Sequence, residues 1–150
     1  MATISYVLSS NSLTNIRDNR TAWGKGLSYK NNWEQEGIYI ELSGILTEAD
    51  FYDSNMEIYD DERFQHCRYQ LVDALKVEEV QASVEAMEVV IGMDLVASSY
   101  THNMKIAFVT KNHQLRKIFS MYVNALICTK WQSILTDNLE HARQWINNPD

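Results

Sequence analysis

Cysteine, proline and glycine are all scarce in this chain, at 2, 1 and 5 of 150 residues, and each scarcity removes a class of explanation. Cys67 and Cys128 stand far apart with no second cysteine near either, so the sequence offers neither a CxxC metal knuckle nor a disulfide framework. They read as two free thiols of a reducing cytoplasm. The single proline, Pro149, sits at the C-terminal end, and with no low-complexity tract nothing marks an internal linker. The few glycines form none of the patterns GxGxxG, GxxxxGKS/T or GxSxG, which removes nucleotide cradles and nucleophile elbows. Positive charge is short as well. The 13 Lys and Arg against 20 Asp and Glu leave a net charge of -7, with no overall field to draw in a phosphate backbone, so nucleic acid is not an expected partner. No apolar run approaches the ~18 residues of a membrane helix. Residues 1–12 lack the basic start and long apolar stretch of a secretion signal, so a cytoplasmic protein without a membrane span is expected.

What is present suffices for a core. Apolar residues make up 45% of the chain and aromatics 11%, which at 17.4 kDa fits one domain. Residues 1–26 are rich in Ser, Asn and Thr around one short alternation, Ile4-Ser5-Tyr6-Val7-Leu8, and read as a loosely ordered arm able to add an edge strand. The domain proper is then 27–150. Ile38, Ile40 and Leu42 alternate with Tyr39, Glu41 and Ser43, the period of a half-buried strand, with Gly37 at the turn of a hairpin and Gly44 ending the strand. Thr47 and Asp50 have the spacing of a capping pair for a helix over 48–60. The apolar segment 69–75 predicts a strand covered on both faces. Ser83 predicts the cap of a helix burying Val84, Met87, Val90, Ile91 and Leu95. Residues 105–110 predict another strand, and Asn112 opens a helix with the stripe Leu115, Ile118, Phe119, Tyr122 and Leu126. A strand over 131–135 and a last helix opened by Asp137 and Glu140 complete the pattern. Strands alternating with crossover helices imply an α/β domain: a mixed, mostly parallel sheet of about five strands flanked by helices.

Few residues carry a chemical signal. His66, His102, His113 and His141 show no ligand spacing, and His66 and Cys67, as neighbours on an extended chain, point to opposite faces. No metal and no cofactor is called for. The acidic run Glu48, Asp50, Asp53, Glu57, Asp60, Asp61 and Glu62 reads as a solvated helix face, and only secondarily as a hydrolase's acid and base. Lys105, Lys111, His113, Arg116, Lys117 and Lys130 form one basic concentration, from which Lys111, Arg116 and Lys117, with Asp73 at the end of a strand, are the candidate binding residues. Ser83 combines the chemistry of a helix cap with that of a phosphoacceptor, because a helix N-terminus stabilises negative charge.

Several stretches carry a resemblance: Gly44-Ile45-Leu46-Thr47-Glu48-Ala49-Asp50-Phe51, then Leu71-Val72-Asp73, Lys105-Ile106-Ala107-Phe108-Val109, Leu135-Thr136-Asp137, and Glu140-His141-Ala142-Arg143-Gln144-Trp145-Ile146. In this order they resemble the SpoIIAA-like proteins of bacteria, the STAS-like group with similarity to lipid-binding CRAL-TRIO domains, over about 27–147. The resemblance implies a mixed sheet flanked by helices and a role without catalysis. In the sporulation branch, a serine in an Asp-Ser-Ser-Gly type motif at the start of the second helix is phosphorylated by a partner kinase. The matching stretch here, Val80-Gln81-Ala82-Ser83-Val84-Glu85, has the serine without the preceding Asp or the following Gly. The expectation is therefore a non-catalytic interaction or regulatory module with a protein partner, a second copy of itself included. A carrier of a small hydrophobic or lipid-like ligand is the alternative, drawn from the Met and aromatic content.

Overall fold

The computed structural model describes residues 28–149; the arm expected over 1–26 lies outside them. Strand β1 (Tyr29–Trp33) pairs antiparallel with β2 (Gly37–Thr47) in the register Tyr29 to Leu42 and Trp33 to Ile38. The Glu34 N–H donates to the Gly37 carbonyl at 2.8 Å and closes the hairpin. Ile38, Ile40 and Leu42 are buried as their alternation requires. Gly44 does not end the strand. It takes φ of +64°, open to glycine at little cost, within an irregularity that shifts the register against the next strand, and β2 runs on to Thr47.

Helix α1 (Glu48–Asp60) starts where expected: the buried carboxylate of Asp50 accepts the Thr47 N–H at 2.7 Å and the Thr47 hydroxyl at 2.9 Å. A 3-10 turn over Glu62–His66 leads into β3 (Tyr69–Gln81), six residues longer than the apolar segment that announces it. Among the described residues the extension from Lys76 pairs only with β2, beyond the register that β3 shares with the following strand, so it reads as polar.

Helix α2 (Val84–Tyr100), β4 (Met104–Val109), α3 (His113–Leu126), β5 (Trp131–Thr136) and α4 (Leu139–Asn147) follow in alternation. Asn112 caps α3, its Oδ1 accepting the Leu115 N–H at 3.0 Å, and the whole predicted stripe of α3 is buried. Two details correct the sequence reading. Asn138, and not Asp137, caps α4, accepting the His141 N–H at 2.9 Å. On α2 the buried face is Met87, Val90, Ile91, Asp94, Ala97 and Ser98, while Val84 and Leu95 are exposed.

The sheet order is β1-β2-β3-β4-β5, with β2 to β5 parallel. Parallel crossovers are right-handed, so strands added in sequence order carry all their connecting helices on one face. The larger core cluster joins α1, α2 and α3 to one face of the sheet, with Leu115, Phe119, Leu126 and Trp131 nearly or wholly enclosed. Each such side chain contributes about 1.5–3 kcal/mol relative to exposure. Among the described residues only α4 covers the other face, closing a smaller cluster of Leu71, Ala107, Val109, Ala142 and Ile146 over β3 and β4. On that face, among the described residues, no helix lies above β1 and β2.

Candidate functional site

Three places bring chemistry-bearing side chains together. The first is the half-open sheet face. Arg143 of α4 holds Glu34 of the hairpin with two bonds of 2.7 Å, and the Tyr69 hydroxyl donates to the same carboxylate. The guanidinium holds the Glu34 carboxyl below the usual carboxylate range; burial and the neighbouring Glu34 push Tyr69 up to about 12. Arg143 also lies over the Tyr39 ring, 5.1 Å from its centroid, and the Tyr39 hydroxyl donates to Asp73. Asp73, a predicted binding residue, thus has both oxygens engaged, the second by the Leu75 N–H at 3.0 Å. Beside it a shallow groove of about 230 Å³ is lined by Lys30, Glu41, Ser43, Asp73 and Lys76, acids and bases in equal number.

The second place is the interior beneath α2. Asp94 is buried among apolar side chains, and its Oδ1 accepts the Asn55 amide at 3.1 Å and the Tyr59 hydroxyl. Burial pushes its carboxyl up to about 7. It lines a cavity of about 30 Å³ with Ser54, Gln70 and Tyr122. That volume fits one or two water molecules and falls far short of the several hundred Å³ that a drug-sized ligand fills. Cys67 is buried as well; desolvation raises its thiol to about 11, and its Sγ donates to the Tyr69 carbonyl. His102 bonds the Cys67 carbonyl and not the thiol, so this pair has no nucleophile-and-base geometry.

The third place is the outside of α2. Val89, Met93, Val96 and Tyr100 recur at i, i+4, i+7 and i+11 on the side turned from the sheet, with Val89 55% and Tyr100 68% exposed. Helix α2 therefore has apolar side chains on its inner and outer faces. The sequence reading missed this second stripe, although its spacing was there, because the inner stripe alone satisfied the pattern of a core helix.

No family model and no curated protein matches the chain. Among solved structures, an uncharacterised protein of the DUF3478 family with a SpoIIAA-like fold, from Shewanella loihica PV-4, aligns at 13% identity with a TM-score of 0.51. The match covers 81% of this chain and 93% of that one. The fold is SpoIIAA-like.

Within this SpoIIAA-like fold, Ser83 stands at the start of α2, where the sequence places it. Its Oγ accepts the Ala86 N–H at 3.1 Å, and its own N–H donates to Glu48 Oε1 at 2.9 Å, tying the cap of α2 to the first turn of α1. A phosphate on Ser83 would meet the carboxylates of Glu48 and Glu85, which the helix terminus offsets only in part. Ser83→Ala is expected to cost about 1 kcal/mol through the lost cap, while Ser83→Asp retains it. Urea unfolding of both variants checks this, and an alanine variant as stable as the wild type would show the cap to be idle.

The basic concentration divides. Lys111, Arg116 and Lys117 are exposed at the N-terminal end of α3, but Lys105 reaches across to the Asn148 carbonyl at 2.6 Å under Trp145, on the α4 side. Lys130 precedes β5, at the opposite end of the parallel strands. The acidic run likewise separates into local partnerships: Glu57 accepts from Tyr29 at 2.6 Å and from Asn31 at 3.2 Å, and Asp61 pairs with Arg63 at 2.6 Å. Among the described residues, no group of three or more His, Cys, Asp or Glu side chains is placed to hold a metal ion, and no helix is long and apolar enough to cross a membrane.

Proposed function

We propose that this chain is a non-catalytic, STAS-like interaction module whose working surface is the outer face of α2. The observation that carries the reading is the apolar stripe Val89, Met93, Val96 and Tyr100 on a helix already fully packed from within. Stability does not require those side chains outside, because the inner stripe already joins α2 to the core; exposed apolar residues in a row gain free energy only when another surface covers them. The titratable groups support the same reading. Asp50, Asp73, Glu34 and Glu57 each accept bonds that fix elements of the fold, and Cys67 lies buried with a raised thiol. Regulation follows from docking in this reading, with no turnover.

The test places a photoreactive side chain at position 96 in cells and identifies the adducts. A discrete adduct at 96 that is absent with the probe at exposed Glu78, on the β3 extension, is expected. Adducts no different between the two positions would overturn the reading.

A further inference from the structure

Resting on that reading, we infer that the surface covering α2 is a second copy of this chain, packed so that α2 of each protomer lies along α3 of the other. Helices α2 and α3 both return from parallel strands, pack against each other and run the same way. Their starts share one end of the domain, because the Gln114 side chain in the first turn of α3 donates to the Val80 carbonyl near the end of β3 at 3.1 Å. A two-fold axis running between the two helices and parallel to them sets α2 against the partner's α3 with both starts level.

Charge and shape then match along that line. Glu88 is five residues beyond the Ser83 cap, and Arg116 and Lys117 are four and five residues beyond the Asn112 cap. At 1.5 Å per residue both sets sit about 6–8 Å from their caps. All three side chains are exposed and, among the described residues, make no ion pair or side-chain hydrogen bond within the chain. Farther along, Val96 and Tyr100 lie about 20–25 Å from the cap of α2, and Ile127, 70% exposed just past α3, lies at about 22 Å from its own. Ile127 also shares the stripe of Arg116, eleven residues earlier and therefore three turns away on one face. The acidic start of α2 thus meets a basic start, and its apolar end meets an apolar end. Because the contact is isologous, each match occurs twice.

Sedimentation of the full chain between 1 and 100 µM tests the inference. Association to twice the 17.4 kDa monomer mass within that range is expected, weakening as salt rises. Val96→Lys, at an exposed position, should remove dimer across the range while leaving the circular dichroism unchanged. Glu88→Lys and Lys117→Glu should each raise the dissociation constant about tenfold, and the double reversal should restore it. A monomer at 100 µM overturns the inference, as does a dimer indifferent to Val96→Lys or a double reversal that fails to restore association. If the chain is monomeric but a different protein is cross-linked at position 96 and lost with Val96→Lys, the module reading stands without the dimer. If no Val96-dependent adduct forms either, both fall.

Discussion

Replacing Asp94 by asparagine is expected to stabilise the protein at neutral pH and to leave it nearly unchanged in acid. The carboxyl sits in an apolar layer with no cation beside it among its described partners, bonded through Oδ1 to Asn55 and Tyr59, and burial raises it from the ordinary 3.8 to about 7. An acid raised in the fold binds its proton more tightly there than in the unfolded chain. Its contribution to stability is therefore complete below pH 4, declines as pH rises from about 4 to 7, and is lost above that. Each pH unit in this window is worth about 1.4 kcal/mol, so the charged carboxylate costs on the order of 4 kcal/mol at pH 8. Asparagine keeps an acceptor for Asn55 and Tyr59 and never ionises. Urea unfolding at pH 4, 6 and 8 should show the variant's advantage growing with pH. Subtracting the wild-type profile removes other groups, such as Glu34, whose lowered carboxyl acts with the opposite sign and is lost as pH falls. Parallel profiles would mean that Asp94 stays ionised in the fold with enough solvation to do so.

Asp94 also shows what the sequence could and could not disclose. It falls three residues after Ile91 and seven after Met87, on the inner stripe of α2, yet a carboxylate in a pattern of Val, Ile and Met is naturally taken as the end of a polar face. The stripe expected from the spacing takes in Val84 and Leu95, which the structure leaves exposed. Where one face of an element is apolar and the other is not, the pattern was sufficient: Ile38, Ile40 and Leu42 in β2 and the stripe from Leu115 to Leu126 in α3 are buried as the period requires. Helix α2 has no such contrast, so its orientation depends on its neighbours α1 and α3, which spacing does not reveal. The extent of β3 was hidden for a related reason. Beyond Lys76 the strand is paired on one side only among the described residues and exposes much of both faces, so no apolar period marks it. Capping residues are legible where side chain and spacing coincide, at Ser83 and Asn112; Asp137 and Asn138 are equal in capping chemistry, and in the structure it is Asn138 that accepts the His141 N–H. For the candidate site, Ser83, Lys111, Arg116 and Lys117 were placed at the ends of the right helices. The sequence groups them with Asp73, which in the structure is held by Tyr39 on the α4 side of the sheet.

Gly37→Ala is expected to destabilise the protein by about 1–3 kcal/mol, the range for forcing an added carbon into a packed site. The turn explains a glycine at this position only in part, since the cross-strand neighbour is Tyr69, whose ring lies over Gly37. A Cβ there would come to 2.5 Å from Cδ2 and 2.6 Å from Cγ of that ring. Cγ is fixed close to the β3 backbone, so the ring must rotate away as a whole. Its hydroxyl then leaves Glu34, the residue that Arg143 grips to hold α4 over the hairpin, and a one-carbon change in β2 is felt at the C-terminal helix. A double-mutant cycle separates this from a loss of backbone freedom. In a Tyr69→Ala background the clash is gone, and Gly37→Ala should become neutral or slightly stabilising, because alanine loses less backbone entropy on folding than glycine. The coupling between the two changes should therefore equal most of the single-mutant loss. Additive effects in urea unfolding would show that Gly37 is required by the turn and not by the ring above it.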